Sequence, residues 1–269
     1  MIRLLLSVVA GVATLYLVAC LALFLLQRSL IYFPQPRSLA SPDSTELLQV
    51  ANANLIITVR AASGNKALIY FGGNAEDVSG NLPSLSKAFA DHAIYLAHYR
   101  GFGGSSGKPT EAALHADAVA LFDRVHRQHT NVLVIGRSLG SGVAVRLASV
   151  RPASRLVLVT PYDSIESIAA AQFPMFPVRW LLQDKFESWR YAASISAPTS
   201  IVTAQYDEVI PADSSRRLHA QFRKDLARFI VVPNATHNTI SDQPAYWLAL
   251  RESALMWGPM PERAPSRRE

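Results

Sequence analysis

The stretch Gly136-Arg137-Ser138-Leu139-Gly140 carries the clearest chemistry in the sequence. It follows an unbroken apolar run, Asn131-Val132-Leu133-Val134-Ile135, and opens a segment of helical character that lasts to about residue 150. A serine between a buried strand and a helix sits on a sharp turn. Its neighbours must be tiny, and Gly136, Gly140 and Gly142 supply that room. The turn lifts the hydroxyl above the sheet and sets it at a helix N-terminus, where free N–H groups favour negative charge. Ser138 is therefore the expected nucleophile. The competing reading is a tight structural turn without chemistry.

A serine hydroxyl needs a base, and the base needs an orienting carboxylate. Of the seven histidines, His237 stands best. It follows the strand-like run Phe229–Val232 by a short loop and precedes the last helical stretch. His98 ends an earlier strand and remains a rival. His92 begins that strand, and His126, His129 and His219 fall on amphipathic stretches that put them at the surface. For the acid, Asp207 lies just after the strand 199–203 and before His237, so the order is Ser, Asp, His. Glu208 beside it is expected to point elsewhere. Asp163, after the strand near 155–160, is the rival acid; its plainer role is to cap a helix. Oxyanion donors are expected from the Leu139 N–H and from the loop Phe71-Gly72-Gly73-Asn74-Ala75, with the Asn74 N–H as second donor and Gly73 next.

These groups need a scaffold, and the apolar pattern supplies one. Strands at 55–59, 67–71, 93–97, 131–135, 156–159, 199–203 and 229–232 alternate with helices at 76–90, 111–128, to about 150, 213–225 and 243–256. Such alternation implies a mostly parallel, doubly wound sheet. Residues 161–198 are long for a crossover and hold Phe173, Met175, Phe176 and Trp180, which could form an apolar acyl slot. The segment reads either as a short cap or as a crossover helix with a long entry loop.

Upstream, Leu4 to Leu26 carries no charge and is bracketed by Arg3 and Arg28. As a helix it is about 34 Å long, enough to cross a hydrocarbon core of about 30 Å. It reads as an uncleaved, single-pass anchor over residues 1–29. Leu17-Val18-Ala19-Cys20 also resembles a lipobox, which would lipidate Cys20. In a bacterial cell the catalytic domain is expected outside the cytoplasm. A linker at 30–45, a catalytic domain at 46–257 and a disordered tail at 258–269 complete the expected division. Deleting residues 1–30 is expected to leave a soluble domain that keeps esterase activity.

Composition excludes several classes. Half the residues are apolar and only 17% are charged, so the chain is not disordered. A single cysteine excludes an intramolecular disulfide and a cysteine-based zinc site. The net charge of +6 comes mostly from scattered arginines, without a basic stripe, which argues against nucleic acid.

Gly72-Gly73-Asn74-Ala75, Tyr99-Arg100-Gly101-Phe102-Gly103-Gly104-Ser105, Gly107-Lys108-Pro109-Thr110-Glu111, Gly136–Gly142 and Asp207-Glu208-Val209-Ile210-Pro211 together resemble the α/β-hydrolase superfamily. The resemblance spans about residues 30–256. It is nearest to the membrane-anchored α/β-hydrolase-domain branch, which includes protein depalmitoylases and bacterial serine hydrolases. That branch usually has His-Gly-Asn-Ala where Gly72 opens the motif here, and Asp-Tyr-Arg-Gly where His98 stands here. The implied fold is an α/β-hydrolase with a short cap region behind an N-terminal transmembrane helix. The expected activity is hydrolysis of a carboxylic ester or thioester without metal or cofactor. A lysophospholipase or acylglycerol lipase, a serine peptidase and a non-catalytic binding protein are the alternatives. Expected partners are the acyl substrate and membrane lipid; oligomeric state is left open.

Overall fold

The computed structural model describes residues 1–38, 41 and 44–255. The expected disordered tail lies outside the described residues. The sheet has eight strands: β1 (Thr45–Val50), β2 (Ala53–Arg60), β3 (Lys66–Phe71), β4 (Ala93–Ala97), β5 (Asn131–Arg137), β6 (Arg155–Val159), β7 (Thr199–Tyr206) and β8 (Ala227–Thr236). Their spatial order is β1-β2-β4-β3-β5-β6-β7-β8. The first two pairings, β1 with β2 and β2 with β4, are antiparallel. Every other neighbour pair is parallel.

The continuous apolar runs reflect burial on both faces. Along β3, Ala67, Ile69 and Phe71 join one hydrophobic core while Leu68 and Tyr70 join the other. Side chains of a strand alternate between faces, so a strand covered on both sides needs apolar residues at every position. The covering helices are α2 (Leu82–Ala88), α3 (Glu111–His126), α4 (Leu139–Ala148), α8 (Ala212–His219) and α9 (Pro244–Leu255). The helix expected over 76–90 is shorter. Asp77 caps a 3₁₀ turn at Val78–Asn81, and Pro83 then starts α2. Segment 161–198 contains α5 (Ile165–Gln172), α6 (Val178–Leu181) and α7 (Trp189–Ala192).

Strand β1 went unread because its apolar residues do not alternate cleanly, and it begins where a linker was expected to end. It is an edge strand that pairs through a tight turn with Asn52 at φ 60°. His129 also departs from expectation. It is buried, with its ring nitrogens 3.2 Å from the Tyr95 hydroxyl and 2.9 Å from the Gly64 carbonyl.

Ahead of the sheet stands α1 (Ile2–Ile31), long and apolar enough to cross a membrane, with a mean hydropathy of 2.5 over its most apolar window. It does not stand free. Tyr16 stacks flat on Phe176 at 5.8 Å and donates its hydroxyl to the Met175 carbonyl. Gln27 donates to the Leu181 carbonyl and accepts from the Gln183 N–H. Arg28 and Tyr32 both reach the Asp184 carboxylate.

Two histidines make the fold acid-sensitive. Burial lowers His98 and His115 to about 4 from an ordinary 6.5. Between those values the unfolded chain takes up protons that the folded chain refuses, so stability falls as pH drops from 6.5 towards 4. At pH 5 each histidine is expected to cost about 2 kcal/mol relative to pH 7. The His115 Nε2 finds no hydrogen-bond partner among the described residues. Leucine there should shrink the loss of stability between pH 7 and pH 5, measured by chemical unfolding in a non-ionic detergent. An unchanged loss would show that His115 is protonated in the folded state.

Candidate active site

Ser138 joins β5 to α4 with φ 49° and ψ −117°, a backbone conformation that few side chains tolerate. Its surroundings explain the glycines. A Cβ at position 140 would collide with the carbonyl oxygens of Phe71 and Gly72 on β3 and the loop after it. A Cβ at 136 would strike the Gly140 carbonyl and Ala144. The turn is pinned by the Ser138 N–H donating to Val159 at 2.9 Å and the Ser141 hydroxyl donating to the Ser138 carbonyl at 2.7 Å.

The Ser138 Oγ lies 3.1 Å from His237 Nε2. The opposite ring nitrogen, Nδ1, lies 2.9 and 3.0 Å from the two carboxylate oxygens of Asp207. Both partner side chains are almost wholly enclosed, at 7% and 5% exposure. The Asp207 carboxylate also accepts the N–H groups of Val209 and Ile210, which fixes it at the end of β7. A carboxylate on Nδ1 holds the proton there and leaves Nε2 free to accept one from the serine. The three residues expected from the sequence thus meet in a single hydrogen-bonded line.

The rivals lie elsewhere. His98 is buried with Nε2 on the Thr58 hydroxyl at 2.9 Å, and Gly103 packs against its ring. Asp163 accepts from Ser164, Ser167 and Ser214 and pairs with Arg217 at 2.6 Å. Burial opposes its charge, but Arg217 and the two hydroxyls outweigh that and hold the carboxyl below its ordinary range. It ties the start of α5 to α8, while the N-cap itself is Ser164.

Of the expected oxyanion donors, Leu139 opens α4, so its N–H is among those a helix leaves unpaired. The Gly73 N–H is already given to Glu76, which removes the second choice. Asn74 borders the Ser138 cavity. Its side chain does something the sequence did not reveal: it accepts from the Phe33 N–H and donates to the Ile31 carbonyl, closing the end of α1. Glu76 was also missed. It receives Tyr70, Asn81 and the Gly73 N–H, and so braces the loop. A polar residue three positions after the double glycine was the only available signal. Glu208 does not turn away, since it accepts the His237 N–H.

Two cavities meet at Ser138. One, of about 320 Å³, is apolar and runs between α1 and α5–α6 past Leu139 and Ile210. The other, of about 380 Å³, is polar, bordered by Glu76, Arg137, His237 and Asn238. Phe173 and Phe176 line the apolar slot as expected, but Met175 and Trp180 do not; they are exposed. The slot is also lined by Leu23, Gln27, Leu30 and Ile31, so cutting the chain at residue 30 removes most of one wall together with α1.

Residues 66–187 match the family model described as alpha/beta hydrolase fold. An uncharacterized protein of Mycobacterium tuberculosis is 33% identical over 235 residues, covering 79% of this chain and 80% of its own. The chain belongs to the α/β-hydrolase family. Human ABHD12B is 26% identical over 219 residues, covering 70% of this hydrolase and 60% of that protein. The crystal structure of MGS-M2, an alpha/beta hydrolase enzyme from a deep-sea metagenome library, superposes with a TM-score of 0.65 at 12% identity, over 81% of this chain and all of that one. At that identity the likeness speaks for the hydrolase fold alone.

The two carboxylates separate cleanly in a mutational test. Asp207→Asn should lower kcat by about three to four orders of magnitude, as loss of the orienting acid does in other triads. Asp163→Asn should leave kcat within about tenfold and lower the melting temperature, because it loses an ion pair and not a catalytic contact. Reversed effects in steady-state kinetics would move the acid to β6.

Proposed function

We propose that this chain is a membrane-anchored serine hydrolase that cleaves a carboxylic ester or thioester. The supporting observation is the line from Ser138 through His237 to Asp207 on a strained turn, with an apolar slot on one side and a polar cavity on the other. The Ser138 oxygen bonds to the substrate carbonyl carbon while its proton passes to His237 Nε2. The carbonyl oxygen, now negative, accepts from the Leu139 and Asn74 N–H groups, each such donor being worth about 3–4 kcal/mol. His237 returns the proton to the leaving alcohol or thiol as the C–O or C–S bond breaks. Water, deprotonated by the same imidazole, then releases the acid and restores the serine.

The slot favours a fatty acyl group over a small one, and the polar cavity favours a hydrophilic leaving group. Both features suit an amphiphilic ester, so a lysophospholipase or acylglycerol lipase is the variant best supported by the lining. In this reading α1 is a single-pass anchor. The burial of Cys20 favours an uncleaved helix over one processed and lipidated at that residue.

A panel of p-nitrophenyl esters, acyl-CoA and peptides on the full-length protein tests the reaction class. Esters or thioesters should be hydrolysed and peptides should not. Ser138→Ala and His237→Ala should each lose at least about three orders of magnitude. His98→Gln should keep most of the rate, since His98 reaches Thr58 and not the serine. An inactive His98 variant beside an active His237 variant would place the base wrongly.

A further inference from the structure

The apolar slot has two helical walls. Leu23, Gln27, Leu30 and Ile31 recur at the spacing of one helix face on the last turns of α1. Opposite them, Ile165, Ile168, Ala169, Gln172 and Phe173 present one face of α5. The helix that serves as anchor is therefore also part of the substrate site. It is held there firmly, because Gln27, Arg28 and Tyr32 are all bonded to residues 181–184.

Length sets the depth of this arrangement. The 30 residues of α1 span about 45 Å, against a hydrocarbon core of about 30 Å. About twenty residues cross the core, so a span counted from Leu4, the first residue of the uncharged run, ends near Leu23. The remaining turns rise along the catalytic domain. Yet the contact of Met175 and Phe176 with α1 falls at Tyr16, about 10 Å below that boundary, at the deep end of the 5–10 Å to which interfacial elements insert. The segment that reaches so far, Phe173-Pro174-Met175-Phe176-Pro177-Val178, carries no charge. Its neighbour Trp180 is 83% exposed and Met175 80%, so apolar groups that miss the slot face outward beside the anchor.

We propose that the slot is loaded sideways from the membrane. The acyl chain of a membrane-resident ester passes from the leaflet between α1 and α5–α6 to Ser138, and Leu23 and Leu30 on the anchor helix limit the chain that fits. The occupant of the exposed tip is the lipid leaflet, because the tip continues the apolar surface of α1 at the depth the helix itself defines. An acyl chain that follows this path stays in mainly apolar surroundings, broken by Gln27 and Gln172, and the polar cavity beyond Ser138 receives the leaving group. This inference rests on the serine-hydrolase reading for its chemistry, but the placement of the tip does not.

The test uses the full-length protein in phosphatidylcholine vesicles, with and without brominated phosphatidylcholine. Bromine should quench a component of the tryptophan emission that the Met175→Trp variant gains over the wild type. An added component that bromine does not quench would put the tip in water and overturn the proposal, whatever the catalysis. In the same vesicles, Leu23→Trp and Leu30→Trp should lower the ratio of p-nitrophenyl palmitate to p-nitrophenyl acetate hydrolysis by about tenfold or more, as expected when a bulky group fills part of an acyl pocket. An unchanged ratio in both variants would overturn the role of α1. A wild-type protein that hydrolyses neither ester would overturn the loading proposal through the reaction class it rests on, while the quenching still reported where the tip lies.

Discussion

The site depends on the backbone of one residue. Ser138 is held at positive φ between β5 and α4, a conformation that costs of order 1–3 kcal/mol and persists only when its surroundings impose it. They do so from three directions. Val159 on β6 accepts its N–H, Ser141 bonds its carbonyl, and Gly140 lies so close to Phe71 and Gly72 that no side chain fits between them. Because α4 is packed among both neighbouring strands and α3, the turn cannot relax without opening the sheet. The serine is thus presented by a turn that its packing and hydrogen bonds hold fixed. The histidine and the acid arrive on loops after β8 and β7.

That rigidity explains what could be read from sequence. Gly136 is forced by Gly140 and Ala144 a few residues on, while Gly140 and Gly142 are forced by Phe71, Gly72 and Tyr162 far along the chain, but all three sit within six residues of Ser138, so their spacing is visible locally. Asp207 and His237 follow from strand order, because a parallel sheet puts the ends of successive strands at one edge. The elements that escaped notice depend on how the folded chain brings partners together, near in sequence for Glu76 and β1 and distant for His129. Glu76 matters only because Tyr70 and the Gly73 N–H turn towards it. His129 looked like a surface residue until Tyr95 and Gly64 closed over it. Strand β1 is an edge strand whose pairing, not its pattern, makes it a strand.

The helix α1 is the largest such case. Its apolar run is long enough to cross a membrane, but periodicity alone carries no sign that one face lines a cavity reaching Ser138. Asn74 makes the link tighter. It belongs to the loop proposed to bind the oxyanion, and its side chain closes the C-terminal end of α1. The helix α1, the apolar slot and the loop after β3 are therefore connected by direct hydrogen bonds. A domain released from α1 would lose part of the wall of that slot.

In the proposed chemistry Ser138 is a nucleophile activated by His237. The most direct measurement is peptide mapping by mass spectrometry after treating the native full-length protein with a fluorophosphonate, which forms a covalent bond only with an activated serine. One adduct is expected, on the peptide that contains Ser138, and none after prior heat unfolding. An unlabelled native protein, or an adduct on a different serine, would contradict it.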